Sequence, residues 1–481
     1  MIKPRHKKAF HPVPSDALSL SKCPQSLVPS YINQLLVQAQ TAYDAADWSS
    51  VIQYLQQLIL GADSKHPEIV KNREYLLTLT LSMLEMGDFQ QRWEITKVLT
   101  HLGKIAIPPL IDILEDEDAE EELRWYAART LGEFQHPEAI APLVELLKTD
   151  EDEELKAIAA TALGQMGTVA ITSLTELLLD EDTRLLAVRS LSCIPQPETI
   201  TPLLSVVQDP QAAIRAAAIE ALSSFHDERV PPVLLNALDD IAATVRRAAV
   251  LGLGFRPDLR QALDLVTRLQ PKLYDFNLEV CCAAAIALSR MGGDDAAKYL
   301  FDLLISPQTP LPLQLETIRA LSWVGTPSSL EYLQTAFNKI TSETLWQEIV
   351  TVLGRVQKPH LTTPAAEILL QILRCLLYET LRERQASLRD APRTLTQHPA
   401  TEIANIKSAI ALSLGQLGKM QAIEPLISLL ADSNASVRLH AIAALKNLDR
   451  EAAHQQLQQL ANNATLTPDL HQGIAIALAE W

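Results

Sequence analysis

The sequence predicts an all-α fold, a right-handed α-solenoid of about 11–12 helix pairs preceded by two further helical hairpins. Three observations predict it. A run of small and apolar residues that closes on leucine recurs about every thirty residues, a cation usually stands seven residues before that leucine, and several copies have a proline about twenty residues before it. This pattern is typical of stacked helical hairpins, whose apolar faces are buried only by their neighbours.

The closing leucines set the register of the array. They are Leu99, Leu131, Leu163, Leu191, Leu222, Leu253, Leu288, Leu321, Leu353, Leu414 and Leu445. Successive leucines are 28 to 35 residues apart, except for one gap of 61 between Leu353 and Leu414. We therefore expect one insertion in an otherwise regular array.

Seven residues before the leucine, a cation is the usual residue. The cations are Arg92, Arg124, Lys156, Arg184, Arg215, Arg246, Lys407 and Arg438, and in three successive units Cys281, Gln314 and Trp346 replace them. We predict that the cations form a structural ladder with acids of the preceding turns, namely Glu122, Asp152, Asp182, Asp209, Asp240 and Asp432. The three replacements predict a partner site around helices Leu278–Leu288, Leu313–Trp323 and Leu345–Leu353, with divergence without function as the alternative.

Prolines mark the beginning of the first helix of a unit. They are Pro109, Pro142, Pro202, Pro232 and Pro425. The fixed φ of proline and its missing N–H group suit the first turn of a helix. A polar or acidic turn separates this helix from the second, so that one unit, such as residues 139–167, is a helix, a turn and a helix.

Two segments carry a recognisable family pattern, IAIPPLIDILEDEDAEEELRWYAARTLGEF at 105–134 and EPLISLLADSNASVRLHAIAAL at 424–445. The array resembles the HEAT-repeat family, in the short bacterial form described as phycobilisome-lyase HEAT-like repeats, over roughly residues 92–481. The resemblance implies a cyanobacterial context, because such units occur in E/F-type phycobilin lyases and in relatives that act in phycobilisome assembly. Those lyases deliver an open-chain tetrapyrrole to a cysteine.

The domain organisation follows from changes in this pattern. We predict a flexible tail at 1–27, TPR-like helical hairpins at 28–91, a HEAT-repeat array at 92–359, an extended repeat with a basic loop insertion at 360–402, and C-terminal HEAT repeats with a cap at 403–481. The TPR-like assignment rests on the aromatic and small residues around Tyr43, Trp48 and Tyr54 and on Asp88-Phe89.

Composition limits the class of protein. The chain has 481 residues, 48% of them hydrophobic, and a net charge of −17. The acidity argues against a nucleic-acid scaffold, which needs many cations at phosphate groups. The five cysteines lack C-x-x-C spacing and no stretch approaches eighteen uninterrupted apolar residues. These features favour a cytoplasmic protein without a membrane span.

Catalytic and metal sites are not predicted. The sequence contains no His-Glu dipeptide, no H-x-x-x-H pair, no GxSxG motif, no Walker loop and no GxGxxG motif. These are the spacings on which common metal, nucleophile and phosphate sites depend. We therefore expect neither catalytic residues nor a cofactor, and a bound bilin is the alternative, with Cys281 or Cys282 touching it.

Candidate partner-binding residues are aromatic or basic. They are Trp125, Tyr126, Trp323 and Trp346 on second helices, Cys281 in the interrupted register, and Arg382, Arg384, Arg389 and Arg393 near the insertion. Packing between repeats is the alternative for the aromatic residues. Three acidic turns, at residues 115–122, 150–154 and 180–182, predict a negative strip that steers a basic partner, with helix capping as the alternative.

Two functions of different classes follow. The first is a non-catalytic protein-interaction scaffold or assembly factor, in a phycobilisome or another photosynthetic complex, that binds phycobiliproteins or other subunits. The second is an E/F-type phycobilin lyase or isomerase subunit that binds a tetrapyrrole. A nucleic-acid-binding HEAT-like protein ranks below both because of the net charge.

Overall fold

The computed structural model describes residues 29–60, 66–385, 400–463 and 465–481, and in these ranges the chain consists of helices, turns and loops without a β-strand. The predicted tail at 1–27 lies outside the described residues. The chain divides into two compact units, Met1–Ile194 and Pro195–Trp481, which we describe separately.

The first unit contains two hairpins followed by the first repeats. Its helices are α1 (Pro29–Asp44), α2 (Trp48–Ile59), α3 (Pro67–Lys71), α4 (Arg73–Met86), α5 (Phe89–Leu102), α6 (Ile107–Glu115), α7 (Glu121–Phe134), α8 (Ile140–Thr149), α9 (Glu153–Met166), α10 (Ile171–Leu177) and α11 (Arg184–Ser192).

The second unit continues the alternation of first and second helices. Its helices are α12 (Ile200–Ser205), α13 (Ala212–Leu222), α14 (Val230–Ala237), α15 (Ala243–Gly254), α16 (Leu265–Leu269), α17 (Leu278–Met291), α18 (Gly293–Leu304), α19 (Leu311–Val324), α20 (Pro327–Lys339), α21 (Glu343–Gly354), α22 (Pro359–Gln385), α23 (Ala400–Leu417), α24 (Ile423–Ser428), α25 (Ala435–Leu448), α26 (Arg450–Ala461) and α27 (Pro468–Ala479).

Helices α6 to α27 form eleven successive pairs within the described residues, which confirms the predicted all-α repeat array. Second helices of neighbouring repeats pack side by side, α7 on α9 in the first unit, and α15 on α17 and α17 on α19 in the second. All of the closing leucines are fully buried. The packing is close: a Cβ added at Gly132 would lie 2.7 Å from Cα of Ala162, so only glycine fits there.

The prolines stand where the sequence predicts. Pro109 lies in the first turn of α6 and Pro142 in the first turn of α8, and Pro202, Pro232 and Pro425 have the same place in α12, α14 and α24. Their missing N–H groups would have no partner in a first turn, so the helices lose no hydrogen bond.

The amino-terminal region forms helical hairpins. Helix α1 packs against α2, with the rings of Tyr43 and Trp48 5.7 Å apart, and α4 packs against α5. Asp88 opens α5 with a capping box that it shares with Gln91. The assignment of residues 28–91 to TPR-like hairpins remains a prediction.

The gap between Leu353 and Leu414 holds one helix pair with an unusually long first helix. Helix α22 runs from Pro359 to Gln385, and α23 then packs directly on α21. The Ser413 hydroxyl donates a hydrogen bond of 3.1 Å to the Val350 carbonyl across this contact. The extra residues therefore lie within one repeat, and the stacking of second helices continues past them.

One helical stretch, Glu153–Leu177, is long and apolar enough to cross a membrane, with a mean hydropathy of 1.4. It consists of α9 and α10, which are separated by a turn in which Gly167 has a φ of 71°. Helix α9 packs on α7, α8 and α11, and 44% of the apolar window is buried. We assign the stretch to the repeat array, since its two helices belong to successive pairs.

The cations of the register form a ladder in which an aspartate joins two repeats. The Asp240 carboxylate accepts two hydrogen bonds from Arg215 of the preceding repeat, at 2.7 and 2.8 Å, and one from the N–H of Ala242, at 2.8 Å. The backbone carbonyl of Asp240 accepts a hydrogen bond of 2.8 Å from Arg246 of its own repeat. Arg246 in turn binds Asp275 twice, at 2.7 Å.

The prediction that each cation pairs with an acid of the turn before it was therefore wrong. Each cation with a ladder ion pair binds the acid of the following repeat. The arginines among them also donate to backbone carbonyls that precede them in the chain, as Arg215 does to Asp209 and Arg246 to Asp240. Ion pairs of this kind join Arg92 to Glu120 and Glu122, Arg124 to Asp150, Arg215 to Asp240, Arg246 to Asp275 and Lys407 to Asp432. The carboxylate of the turn also accepts a hydrogen bond from the backbone N–H group two residues later, as Asp240 does from Ala242 and Asp275 from Asn277.

Three predicted ladder cations also have contacts within their own repeats. Lys156 lies 3.3 Å from Glu153 on its own helix. Arg184 donates to the carbonyls of Leu178 and Leu179, at 2.6 and 3.3 Å. Arg438 donates to the carbonyls of Asp432 and Ser433, at 2.8 and 3.1 Å.

Replacing Arg246 by alanine should destabilise the second unit by about 3 kcal/mol, because it leaves the nearly buried Asp275 carboxylate without its main partner. The neighbouring Arg247 is half exposed and lies 3.6 Å from Glu279. Arg247→Ala is therefore the matched control and should cost less than about 0.5 kcal/mol. Urea unfolding followed by circular dichroism measures both; equal losses would contradict the ladder's structural role.

Acid should weaken the ladder. The hydrogen bonds from Arg246 hold the pKa of Asp275 below its usual range. A lowered pKa stabilises the fold above the unfolded value of about 3.9, and the effect is lost as the pH falls through the folded value. Asp275→Asn should lower the urea midpoint at pH 7. As the pH is lowered further, the midpoint of this variant should fall less than that of the unchanged chain. An equally steep fall of the midpoint in both proteins would contradict this prediction.

Candidate interaction site

The interrupted register keeps its hydrogen bonds to the backbone. The Cys281 thiol lies 3.1 Å from the Asp275 carbonyl, Gln314 donates to the Leu304 carbonyl at 3.2 Å, and Trp346 donates through Nε1 to the Phe337 carbonyl at 2.9 Å. Neutral side chains thus replace the cation's carbonyl bonds, although they provide no charge for an ion pair with the next repeat.

Three of the predicted partner-binding residues are buried. Tyr126 is fully buried and donates a hydrogen bond of 3.0 Å to the Phe89 carbonyl. Trp346 stacks on Phe337 with ring centroids 5.4 Å apart, and Cys281 packs in the core. These side chains have no surface for a partner, so packing accounts for them and the candidate site excludes them.

Trp125 is half-buried, and Trp323 is 77% exposed. Trp125 lines a cavity of about 390 Å³ with Phe89 and four carboxylate residues, Glu121, Glu122, Asp152 and Glu154. Trp323 lines a separate cavity of about 480 Å³ with Arg355 and Lys358. Of the predicted aromatic residues, these two remain available to a partner.

The acidic turns of the first unit are partly structural. Glu120, Glu122 and Asp150 are ladder partners, and Asp152 accepts the N–H groups of Glu154 and Leu155 at the beginning of α9. Both helix capping and ion pairing therefore use these acids, and the role of the remaining carboxylates in steering a partner stays a prediction.

The basic residues near the insertion give no candidate contact. Arg389 and Arg393 lie outside the described residues. Arg382 and Arg384 belong to the last turns of α22, where the structure describes the helix but not these side chains. Their role in binding a partner remains a prediction.

The paired cysteines are protonated thiols, and the acids of the described residues form no metal site. Burial raises the pKa of both Cys281 and Cys282, so neither is a ready thiolate. The described residues include no cluster of histidine, cysteine, aspartate or glutamate that could hold a metal ion.

Sequence reasoning missed a row of exposed apolar residues at the tips of the ladder turns. We call Pro210, Ile241 and Phe276 the turn ridge. Each directly follows a ladder aspartate. Ile241 is 93% exposed, and Phe276 is fully exposed. A cavity of about 490 Å³ lies between Pro210 and Ile241.

A signal for this ridge is present in the sequence. The residue after the turn aspartate is polar in other repeats, as in Asp116-Glu117, Asp150-Glu151, Asp180-Glu181 and Asp432-Ser433. In three successive repeats it is proline, isoleucine and phenylalanine. A large apolar side chain at a turn tip gains nothing from the fold, and contiguous groups of them mark interaction sites.

Comparison with known proteins agrees with this architecture. Residues 107–186, 179–254, 231–314 and 395–479, which together make up more than half of the chain, match the sequence pattern of HEAT repeats. The chain belongs to the HEAT-repeat family. No curated protein matches the sequence.

Several solved structures are similar in fold to this HEAT-repeat chain. A crystal structure of importin beta is 14% identical, with 93% of this chain and 64% of that chain covered and a TM-score of 0.49. The complex of CpcE and CpcF of phycocyanin lyase from Nostoc sp. PCC7120 is 19% identical over 55% of this chain and 92% of that one, with a TM-score of 0.28. Human deoxyhypusine hydroxylase is 18% identical over 61% and 99%, with a TM-score of 0.24. These likenesses assign this chain neither activity nor partner.

Two tryptophans should respond in opposite ways to substitution. Trp346→Ala removes a buried side chain and its hydrogen bond and should destabilise the second unit by about 3–5 kcal/mol. Trp323→Ala removes an exposed side chain and should change stability by less than about 0.5 kcal/mol. Urea unfolding checks both, and a large loss in Trp323→Ala would mean that Trp323 is structural.

Proposed function

We propose that this protein is a non-catalytic interaction scaffold or assembly factor that holds a protein partner on the turn ridge. The observation that carries the proposal is the full exposure of Ile241 and Phe276 at turn tips that the ladder fixes in place. The resemblance of the repeats to phycobilisome-lyase HEAT-like units favours a phycobilisome or another photosynthetic complex as the setting.

Hydrogen bonds hold the backbone of the turns that carry the ridge. Arg215 donates to the Pro210 carbonyl at 3.0 Å, and Arg246 donates to the Ile241 carbonyl at 3.1 Å. The turns are also fastened by the carboxylates of Asp240 and Asp275. Little conformational entropy is therefore lost when a partner binds, which favours affinity.

The spacing of the ridge defines the partner's surface. Neighbouring helices pack about 8–10 Å apart, so equivalent positions advance by roughly that distance per repeat. A partner must therefore offer apolar pockets at about this interval along a line. A folded protein surface or a groove between helices meets this requirement.

The proposal is tested by crosslinking in the native cells. A photoreactive phenylalanine analogue at position 276 should capture a partner, which mass spectrometry identifies, and the same analogue at Leu439, exposed on α25, should not capture it. The purified partner should then bind the Ile241→Ser/Phe276→Ser double variant at least about tenfold more weakly.

The control for that experiment is Leu439→Ser, which removes an exposed apolar side chain of another helix and should leave affinity unchanged. All three positions are exposed, so stability should change by less than about 0.5 kcal/mol. Equal affinity of the double variant and the unchanged chain would overturn the proposal. Visible absorbance of the purified chain, as a tetrapyrrole gives, would instead favour the pigment-binding alternative.

A further inference from the structure

A second row of side chains lies at the carboxyl ends of four successive second helices, α15, α17, α19 and α21. We call it the aromatic–arginine row. Its members, each two residues after a closing leucine, are Phe255, Arg290, Trp323 and Arg355. Aromatic and cationic residues alternate along it, at one position per repeat.

The members of the row are exposed, and they come together in two neighbouring pairs. Phe255 is 60% exposed, and the Arg290 guanidinium carbon lies 4.2 Å from the centre of its ring. Trp323 and Arg355 line the same cavity of about 480 Å³. Phe255 also lines a cavity of about 700 Å³ with Leu251. The two ends of the row therefore line two cavities of a size that accepts side chains.

Within the described residues, the two arginines of the row lack the ion pairs that the nearby Arg319 forms. Arg319 lies 2.7 Å from Glu348 and 3.6 Å from Glu316, so these acids are neutralised within the surface. The ion pairs in the described part of the chain include neither Arg290 nor Arg355. Two uncompensated positive charges thus stand on a chain whose net charge is −17.

The position of the row at helix ends explains its arginines but not its aromatic residues. A cation in the last turn interacts favourably with the helix dipole, which is a sufficient reason for the arginines alone. Exposed Phe255 and Trp323 gain nothing from that dipole. Rigid exposed aromatic residues beside arginines are instead the residue types enriched in the energetic centres of protein interfaces.

We propose that the aromatic–arginine row binds an extended acidic segment of a protein partner. Apolar residues of the segment pack on Phe255 and Trp323, and its carboxylates pair with Arg290 and Arg355. A step of 8–10 Å per repeat corresponds to about three residues of an extended chain. The segment therefore alternates an apolar and an acidic residue at about every third position.

This inference goes beyond the proposed function, because the row and the turn ridge are different surfaces and the test needs no native partner. The probe is a fluorescein-labelled peptide of glycine and serine with two leucines and two glutamates alternating at about every third position. Fluorescence anisotropy with the full chain should show saturable binding that weakens as salt rises from about 50 to 300 mM.

Substitutions locate the binding. The Arg290→Ala/Arg355→Ala double variant should weaken binding about tenfold, since it removes both charge-assisted contacts. Trp323→Ala should weaken it to a similar extent. The matched control is Arg189→Ala/Arg374→Ala, which removes the same charge from exposed positions on α11 and α22 and should leave affinity unchanged.

Three results would overturn the inference: an unchanged affinity in the Arg290/Arg355 variant, equal binding of a peptide with lysine in place of glutamate, or tighter binding of a single-stranded oligonucleotide than of the peptide. The last would assign the row to nucleic acid, in which bases stack on aromatic rings and phosphates meet arginines. Circular dichroism of each variant excludes loss of fold as the cause.

Discussion

The aspartate that opens the turn of a repeat is the group on which the second unit depends. Its carboxylate binds the arginine of the preceding repeat and a backbone N–H group of its own turn, and its carbonyl binds the next arginine. The guanidinium fits this arrangement because its planar set of donors can reach a carboxylate and two carbonyls together. One pair of residue types thus fixes both the turn and the spacing between repeats.

The same constraint shapes the surface. Because the ladder holds the turn backbone, the residue after the aspartate has a defined direction and no packing role of its own. That position can vary without disturbing the fold, so Ile241 and Phe276 are available for recognition. Where Cys281 replaces arginine, the thiol still reaches the carbonyl of Asp275, and the turn that presents Phe276 is retained.

Much of this architecture could be predicted from the sequence, because repeats bury the same positions again and again. Leucine at the end of each second helix and proline in the first turn of several first helices both stand as predicted. The candidate site was less predictable. Trp323 and Trp346 occupy second helices of successive repeats, but one projects outward and the other stacks on Phe337, and their residue type does not distinguish the two.

The sequence by itself determined the helix pairs, their register and the positions of the ladder cations, since these depend on periodicity and local propensity. Only the tertiary structure decided which acid each cation binds, which aromatic side chains are buried, that Arg290 stacks on Phe255, and that Trp323 and Arg355 line one cavity. These facts depend on contacts between residues about thirty positions apart. The packing distance and rotation between neighbouring helices set those contacts, and no local pattern encodes them.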